Sequence, residues 1–404
     1  MFVALYHCGV TFFSFGQWWI SPYVILLLRD IGWLVAVASI LFVHTKSVKG
    51  HMKQRWSMWR IALILILISL VTSIFLGADI KHIAVWIKYT LYYILPFLTA
   101  IYLGTVRHSV YDKNTFAAWI HRIWKSIIVI LLVWWLWQIA KNIWPDFFSW
   151  FGYGPLGDYV FAAKPPLYYL TGPRGIQRLS GIFSWPNNYW YFLVVFFGLF
   201  RYGVRAYVKS RVLKWLLRSF YCVTLLATLS RWAILWVLIQ ILLISYVIYH
   251  TQRRIIIAAG IAWLVAVWWL SVLKWQSTVA HITAKMASLQ YVQRAPRWYG
   301  LWSSGPSVHS QWWYLPENFF IQVMMDLWLH GFVIRSWFWL VTFGVISRIY
   351  KKTTFSRSLL FFVSVGFVWI MLEWLFLHVL EDSMVNYLYF IVRGIMLWYA
   401  SEEA

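Results

Sequence analysis

The residues of this sequence best suited to bind a ligand are arginines. They lie in two long segments that separate apolar runs, and between those two segments. Arg174 and Arg178 lie in the first segment, Arg294 and Arg297 in the second, and Arg231 stands at a short turn within TLSRWAIL. A guanidinium stays charged at any working pH and binds a phosphate through two parallel hydrogen bonds. The set therefore favours an anion site. The alternative for any single arginine is that it extends to lipid headgroups at a membrane interface.

Metal and cofactor chemistry has little support in the sequence. It contains no phosphate-binding loop, no paired-cysteine metal site and no His-Glu-x-x-His motif. Cys8 and Cys222 both lie in apolar stretches, which is typical of neither a disulfide framework nor a zinc site. His378, Glu381 and Asp382 could hold a cation, but they fit better as exposed residues at a helix end. We expect no metal and no cofactor.

The elements that must position these arginines are membrane helices. Hydrophobic residues make up 62% of the 404 residues and charged residues only 12%, against ~45–50% and ~25% in soluble domains. Apolar runs of roughly 20 residues recur, each long enough to cross a ~30 Å hydrocarbon core, and they are continuous rather than alternating. The sequence predicts an all-α polytopic integral membrane protein, one membrane domain over 1–404, with about 12 transmembrane helices. The predicted spans are 2–17, 22–43, 61–77, 83–104, 126–144, 187–200, 216–230, 232–249, 255–273, 318–347, 358–377 and 384–400.

Basic loops give the expected orientation. The loops 44–60 and 201–218 carry several lysines and arginines and no acidic residue, so they belong on the cytoplasmic side. The net charge of +23 is explained by such loops, and we expect no nucleic acid partner. Both termini then lie in the cytoplasm. Two long extracytoplasmic loops remain, 145–186 and 274–316, and loops of this length are usually functional.

Three segments resemble the O-antigen ligase and Wzy-type polymerase family of bacterial envelope proteins. RLSGIFSWPNN, from Arg178 to Asn188, resembles an Arg-x-x-Gly-x-Phe element that ends in Pro-Asn, which places Asn187 in the motif. LSRWAIL resembles a Ser-Arg-Gly turn. In the third, Asn318 is followed by nine residues, Trp328, two residues and Gly331, much as in a His-Asn motif with two later glycines. The resemblance covers about residues 170–345.

The resemblance implies a metal-independent membrane glycosyltransferase in the bacterial cytoplasmic (inner) membrane. Such an enzyme takes a glycan from a polyprenyl pyrophosphate and transfers it to a hydroxyl of an acceptor glycan or lipid. Arg178, Arg294 and Arg297, with Arg231 as a further candidate, would bind the pyrophosphate and stabilise its developing charge. A lipid-linked oligosaccharide transporter or flippase is the competing class, although the paired halves with broken helices common in transporters are not evident.

The catalytic base is the first departure from the family pattern. Glu317 stands where the family usually has histidine, and a carboxylate can act as the same kind of base. Pro316 suits the first turn of a helix, which would place Glu317 at a helix N-terminus where the ionised form is favoured. His309, in the loop SSGPSVHSQ, is the second candidate.

The second departure is an excess of tryptophan. The chain has 32 Trp and 21 Gly. Small residues, mostly glycine, are expected at the positions of Trp185, Trp190, Trp232, Trp302 and Trp328. Pairs such as Trp134–Trp135 fall in mid-span, where close helix packing usually requires small residues. We hypothesise that many of these tryptophans are UGA codons that the source organism reads as glycine. The alternative is a genuinely tryptophan-rich protein.

Overall fold

A computed structural model describes residues 113–150, 153–154, 167–171, 176–179, 181 and 186–249, together with single positions between 254 and 290. Within these ranges the chain is mainly helical, as predicted. The elements are α1 (Lys113–Ile143), α2 (Pro145–Trp150), β1 (Tyr169–Thr171), β2 (Ile176–Arg178), α3 (Pro186–Tyr207), α4 (Arg211–Ala227) and α5 (Arg231–Tyr249). The elements from α1 to α5 pack as parts of one compact unit.

Helix α1 is the one described helix that is long and apolar enough to cross a membrane, over Ile120–Ile143. These 24 residues would span ~36 Å at the α-helical rise, more than a ~30 Å hydrocarbon core. No Gly or Pro interrupts α1. The helix stops just before Trp144, because a residue that precedes proline disfavours the α conformation, and Pro145 then starts α2.

Four of the predicted spans correspond to helices. The predicted span 126–144 lies in α1 except for its last residue. The span 187–200 lies within α3 and 232–249 within α5, while 216–230 overlaps most of α4. Single described positions in the predicted span 255–273 are helical, and so are those at 279, 282–283, 286–287 and 290, beyond the expected end of that span. The remaining predicted spans lie outside the described residues.

Among the described helices, α1, α4 and α5 each pack against α3. Its residues from Tyr189 to Phe200 are all buried. The Tyr189 ring stacks on Trp134 of α1 at 4.1 Å between centroids, and the Tyr221 hydroxyl of α4 donates to the Leu193 carbonyl. From α5, Gln240 Nε2 donates to the Val194 carbonyl at 2.8 Å. Ring stacking and interhelical hydrogen bonds therefore join α3 to each neighbour.

The two ends of the helices carry different chemistry. At one end the start of α1 meets the end of α3, where His121 stacks on Tyr207 at 4.4 Å and the Tyr207 hydroxyl donates to the Ala117 carbonyl at 3.4 Å. The basic segment 201–218 belongs to this end, which we call the basic end. At the opposite end lie the last turn of α1, the β1–β2 hairpin and the turn between α4 and α5. We call this the motif end, because it holds Arg178 and the start of α5 at Arg231.

Two tryptophans are pressed against glycines where there is no room for a larger residue. A Cβ atom added at Gly181 would lie 1.8 Å from Trp134 Cδ1, and one at Gly203 would lie 2.0 Å from Trp124 Cδ1. Both tryptophans are buried, and neither indole N–H has a hydrogen-bond partner among the described residues. A buried indole N–H usually has a partner, so these two tryptophans are unusual in their hydrogen bonding. The codon hypothesis stays a prediction.

The codon hypothesis predicts UGA at the codons for Trp185, Trp232, Trp302 and Trp328. Sequencing the gene decides the matter, because UGG at these four codons would establish a genuinely tryptophan-rich protein. If the codons are UGA, a version with glycine at the four positions should unfold at a higher temperature than the tryptophan version. The physical reason is that an overpacked site costs ~1–3 kcal/mol.

Candidate functional site

The segment between α2 and α3 contains a small hairpin that ends at Arg178. Strand β1 pairs with β2 in antiparallel register, with Tyr169 opposite Arg178 and Thr171 opposite Ile176. This hairpin lies within the predicted extracytoplasmic loop 145–186. The first motif residue is therefore held by strand pairing and does not lie in an irregular stretch of the loop.

Arg178 docks the hairpin on the turn between α4 and α5. Its Nε donates to the Thr228 carbonyl at 2.9 Å, and the next residue, Leu179, donates its backbone N–H to the Ala227 carbonyl at 3.4 Å. Both acceptors lie at the C-terminus of α4, where the last carbonyls have no partner within the helix and the helix dipole favours a cation. Arg178 thus caps α4 as well as terminating β2.

The turn that receives Arg178 leads directly into Arg231. The Thr228 hydroxyl donates to the Leu225 carbonyl at 2.7 Å, and Leu229 adopts a left-handed conformation with φ 50°. The Ser230 Oγ then accepts the Ala233 N–H at 3.2 Å and so caps the start of α5. The Ser-Arg element of LSRWAIL is therefore a helix start, with Arg231 as the first residue of α5. Two motif segments far apart in sequence meet here.

Gly181, which completes the Arg-x-x-Gly element, joins the same site to α1. Its backbone N–H donates to Gln138 Oε1 at 3.1 Å, and its φ is 57°, in the left-handed region. Trp134 leaves no space for a Cβ atom. A second link joins Gln177 Nε2 to Asn142 Oδ1 at 3.3 Å. The spacing from Arg178 to Gly181 thus lets one short segment contact α1 and α4 together.

Sequence reasoning missed Lys141, which is completely buried in the last turn of α1. Its Nζ lies 4.7 Å from the centroid of the Tyr153 ring, a distance typical of a cation–π contact. Its carbonyl accepts the Tyr168 hydroxyl at 3.4 Å, and Phe148, Tyr153 and Leu167 form a small buried cluster next to it. The sequence feature that could have revealed Lys141 is a basic residue at the end of an apolar span. Aromatic residues that contact it follow closely in the sequence.

The other predicted site residues are placed less completely. Asn187 is the second residue of α3, and Arg231 is the first residue of α5. Arg294, Arg297, His309, Glu317, Asn318 and Gly331 lie outside the described residues. The structure therefore brings Arg178 to the turn before Arg231, and the contribution of the second loop stays a prediction.

No family model matches the chain, and neither a curated protein nor a solved structure matches it.

Replacing Gly181 with alanine should destabilise the protein by about 2–4 kcal/mol. The added Cβ would collide with Trp134, and overpacking costs ~1–3 kcal/mol, while the left-handed backbone adds ~1 kcal/mol for a non-glycine residue. Thermal or denaturant unfolding of the purified protein in detergent measures the change.

Gly260→Ala is the matched control, because a Cβ there would meet only Leu242 Cδ1 at 4.0 Å, an ordinary contact. It should leave the unfolding midpoint unchanged or raise it slightly. Equal midpoints for Gly181→Ala and Gly260→Ala would contradict the close packing of Gly181 on α1.

Proposed function

We propose that this protein is a multi-pass glycosyltransferase of the bacterial inner membrane, of the O-antigen ligase or polymerase type. In this proposal about 12 helices cross the membrane, both termini are cytoplasmic, and the motif end faces outward. The observation that carries the proposal is the docking of Arg178 on the turn that precedes Arg231. Two segments with motif-like sequences thus form one local structure, at the end opposite the basic segment 201–218.

The pyrophosphate of the donor would be bound by arginines. When a glycan leaves a polyprenyl pyrophosphate, negative charge develops on the departing phosphate oxygen. Fixed guanidinium groups stabilise that charge without reorganising at the moment of reaction. Arg178 is suitable because its Nε bond to Thr228 fixes the plane of the guanidinium, and we assign Arg231, Arg294 and Arg297 to the same site.

The transfer step needs one base and one acceptor hydroxyl. The acceptor oxygen attacks the anomeric carbon of the donor sugar and forms the new glycosidic bond. The bond between that carbon and the pyrophosphate oxygen breaks, and its electron pair leaves with the polyprenyl pyrophosphate. The hydroxyl proton passes to the Glu317 carboxylate, or to His309 if that residue is the base. The acceptor is a glycan or a lipid.

Single changes of Arg178, Arg231, Arg294 and Arg297 to lysine should each lower transfer, by roughly 100-fold for the residues that contact the transition state. Lysine keeps the charge but lacks the two-pronged geometry of the guanidinium. The measurement is transfer from a polyprenyl-pyrophosphate-linked glycan by the purified protein in vesicles. Arg122→Lys, at an exposed position in the half of α1 that includes the basic end, is the matched control and should retain full activity. Full activity in all four variants would remove the arginine site.

Glu317→Gln should lower transfer by ~100–10,000-fold, because it keeps the shape of the side chain and removes the base. Binding of the lipid-linked donor should remain close to that of the unchanged protein, since a base acts in the chemical step. His309→Ala is the companion variant, and its inactivity beside an active Glu317→Gln would move the base to His309. If both variants transfer normally, neither residue is the base and that assignment fails. Movement of the donor across the membrane by the unchanged protein, with no transfer at all, would defeat the transferase proposal and favour the flippase.

A further inference from the structure

The basic end combines exposed positive charge with an exposed apolar stripe, and the transferase site uses neither. The segment 201–218 has no acidic residue, and Arg205, Lys209 and Arg211 are all exposed. They belong to the last turn of α3, the link after it and the first residue of α4. Arg122 and Lys125 are also exposed on α1, in the half that meets the end of α3 through His121 and Tyr207. Positive charge is thus gathered at one end of three packed helices.

The apolar stripe begins beside these charges and continues along α4. Val212, Leu216, Val223 and Leu226 are exposed, and their spacing places them on one face of the helix. Val212 is 69% exposed and Leu226 is 55% exposed. From the first to the last of them the helix rises ~21 Å, more than half of a ~30 Å hydrocarbon core. Water would solvate the basic residues well and the stripe poorly.

We propose that this surface binds an anionic phospholipid of the cytoplasmic leaflet. The phosphate headgroup lies against Arg205, Lys209 and Arg211, and an acyl chain follows the stripe from Val212 to Leu226. This inference rests on the membrane orientation given under the proposed function. A phospholipid matches both halves of the surface, whereas a nucleic acid would match the charges and leave the stripe exposed. Basic residues near an anionic leaflet each contribute to the attraction, and added salt weakens it.

The test is the thermal unfolding of the purified full chain in nanodiscs of phosphatidylcholine with or without phosphatidylglycerol. Phosphatidylglycerol should raise the unfolding midpoint by several degrees at low salt, and high salt should reduce that rise. The variant Arg205→Gln/Lys209→Gln/Arg211→Gln should lose the rise and keep its midpoint in pure phosphatidylcholine. The matched control Arg205→Lys/Lys209→Arg/Arg211→Lys keeps every charge and should retain the rise.

Equal midpoints in the two nanodiscs for the unchanged protein, or a full rise in the glutamine variant, would overturn the proposal. So would an equal rise when RNA is added in place of the anionic lipid. If the glutamine variant does not fold, native mass spectrometry of the unchanged protein replaces it. That experiment should show several-fold more phosphatidylglycerol than phosphatidylcholine retained from an equal mixture, and equal retention would overturn the inference. None of these measurements involves transfer, so failure here is distinguishable from failure of the transferase proposal.

Discussion

The contact on which the motif end depends is the hydrogen bond from Arg178 to the end of α4. A helix leaves its last carbonyls without partners inside the helix, and such groups are costly to bury in an apolar environment. Arg178 and Leu179 together satisfy two of these carbonyls, on Thr228 and Ala227. The bonds also fix the hairpin against the turn that starts α5. One pair of backbone acceptors therefore determines where two distant segments meet.

The same contact gives Arg178 a structural role in the fold. An arginine that served only to bind a ligand would be expected to extend from its backbone toward a cavity. The Nε of Arg178 instead anchors the hairpin to α4. Removal of the guanidinium would therefore remove both this anchor and the positive charge. A ligand-binding role and a capping role are compatible, because the guanidinium carries five N–H donors in a fixed plane.

The helices were predictable from sequence because each contains a continuous apolar run, and such runs do not show the alternation of a half-buried strand. Two helices extend beyond the predicted spans. Helix α1 begins at Lys113, well before the predicted 126, and α3 continues to Tyr207, beyond the predicted 200. Basic and polar residues in these extensions lower the hydropathy without interrupting the helix. The hairpin was not predicted, since its two strands have three residues each and carry little periodic pattern. The capping role of Arg178 depends on Thr228, which no local pattern near residue 178 could reveal.

The polar and charged groups at the two ends of the helices are stabilised in different ways. At the motif end, polar groups are joined to one another: Gln138 to Gly181, Asn142 to Gln177, and Arg178 to Thr228. At the basic end, charges such as Lys209 and Arg211 remain exposed, where water or lipid headgroups can solvate them. In the proposed transferase, the hydrogen bonds at the motif end would hold the reacting groups in fixed geometry. The exposed charges at the basic end would contact the headgroups of the proposed lipid. In the orientation proposed above, the exposed basic residues place this end on the cytoplasmic side, where such residues are retained.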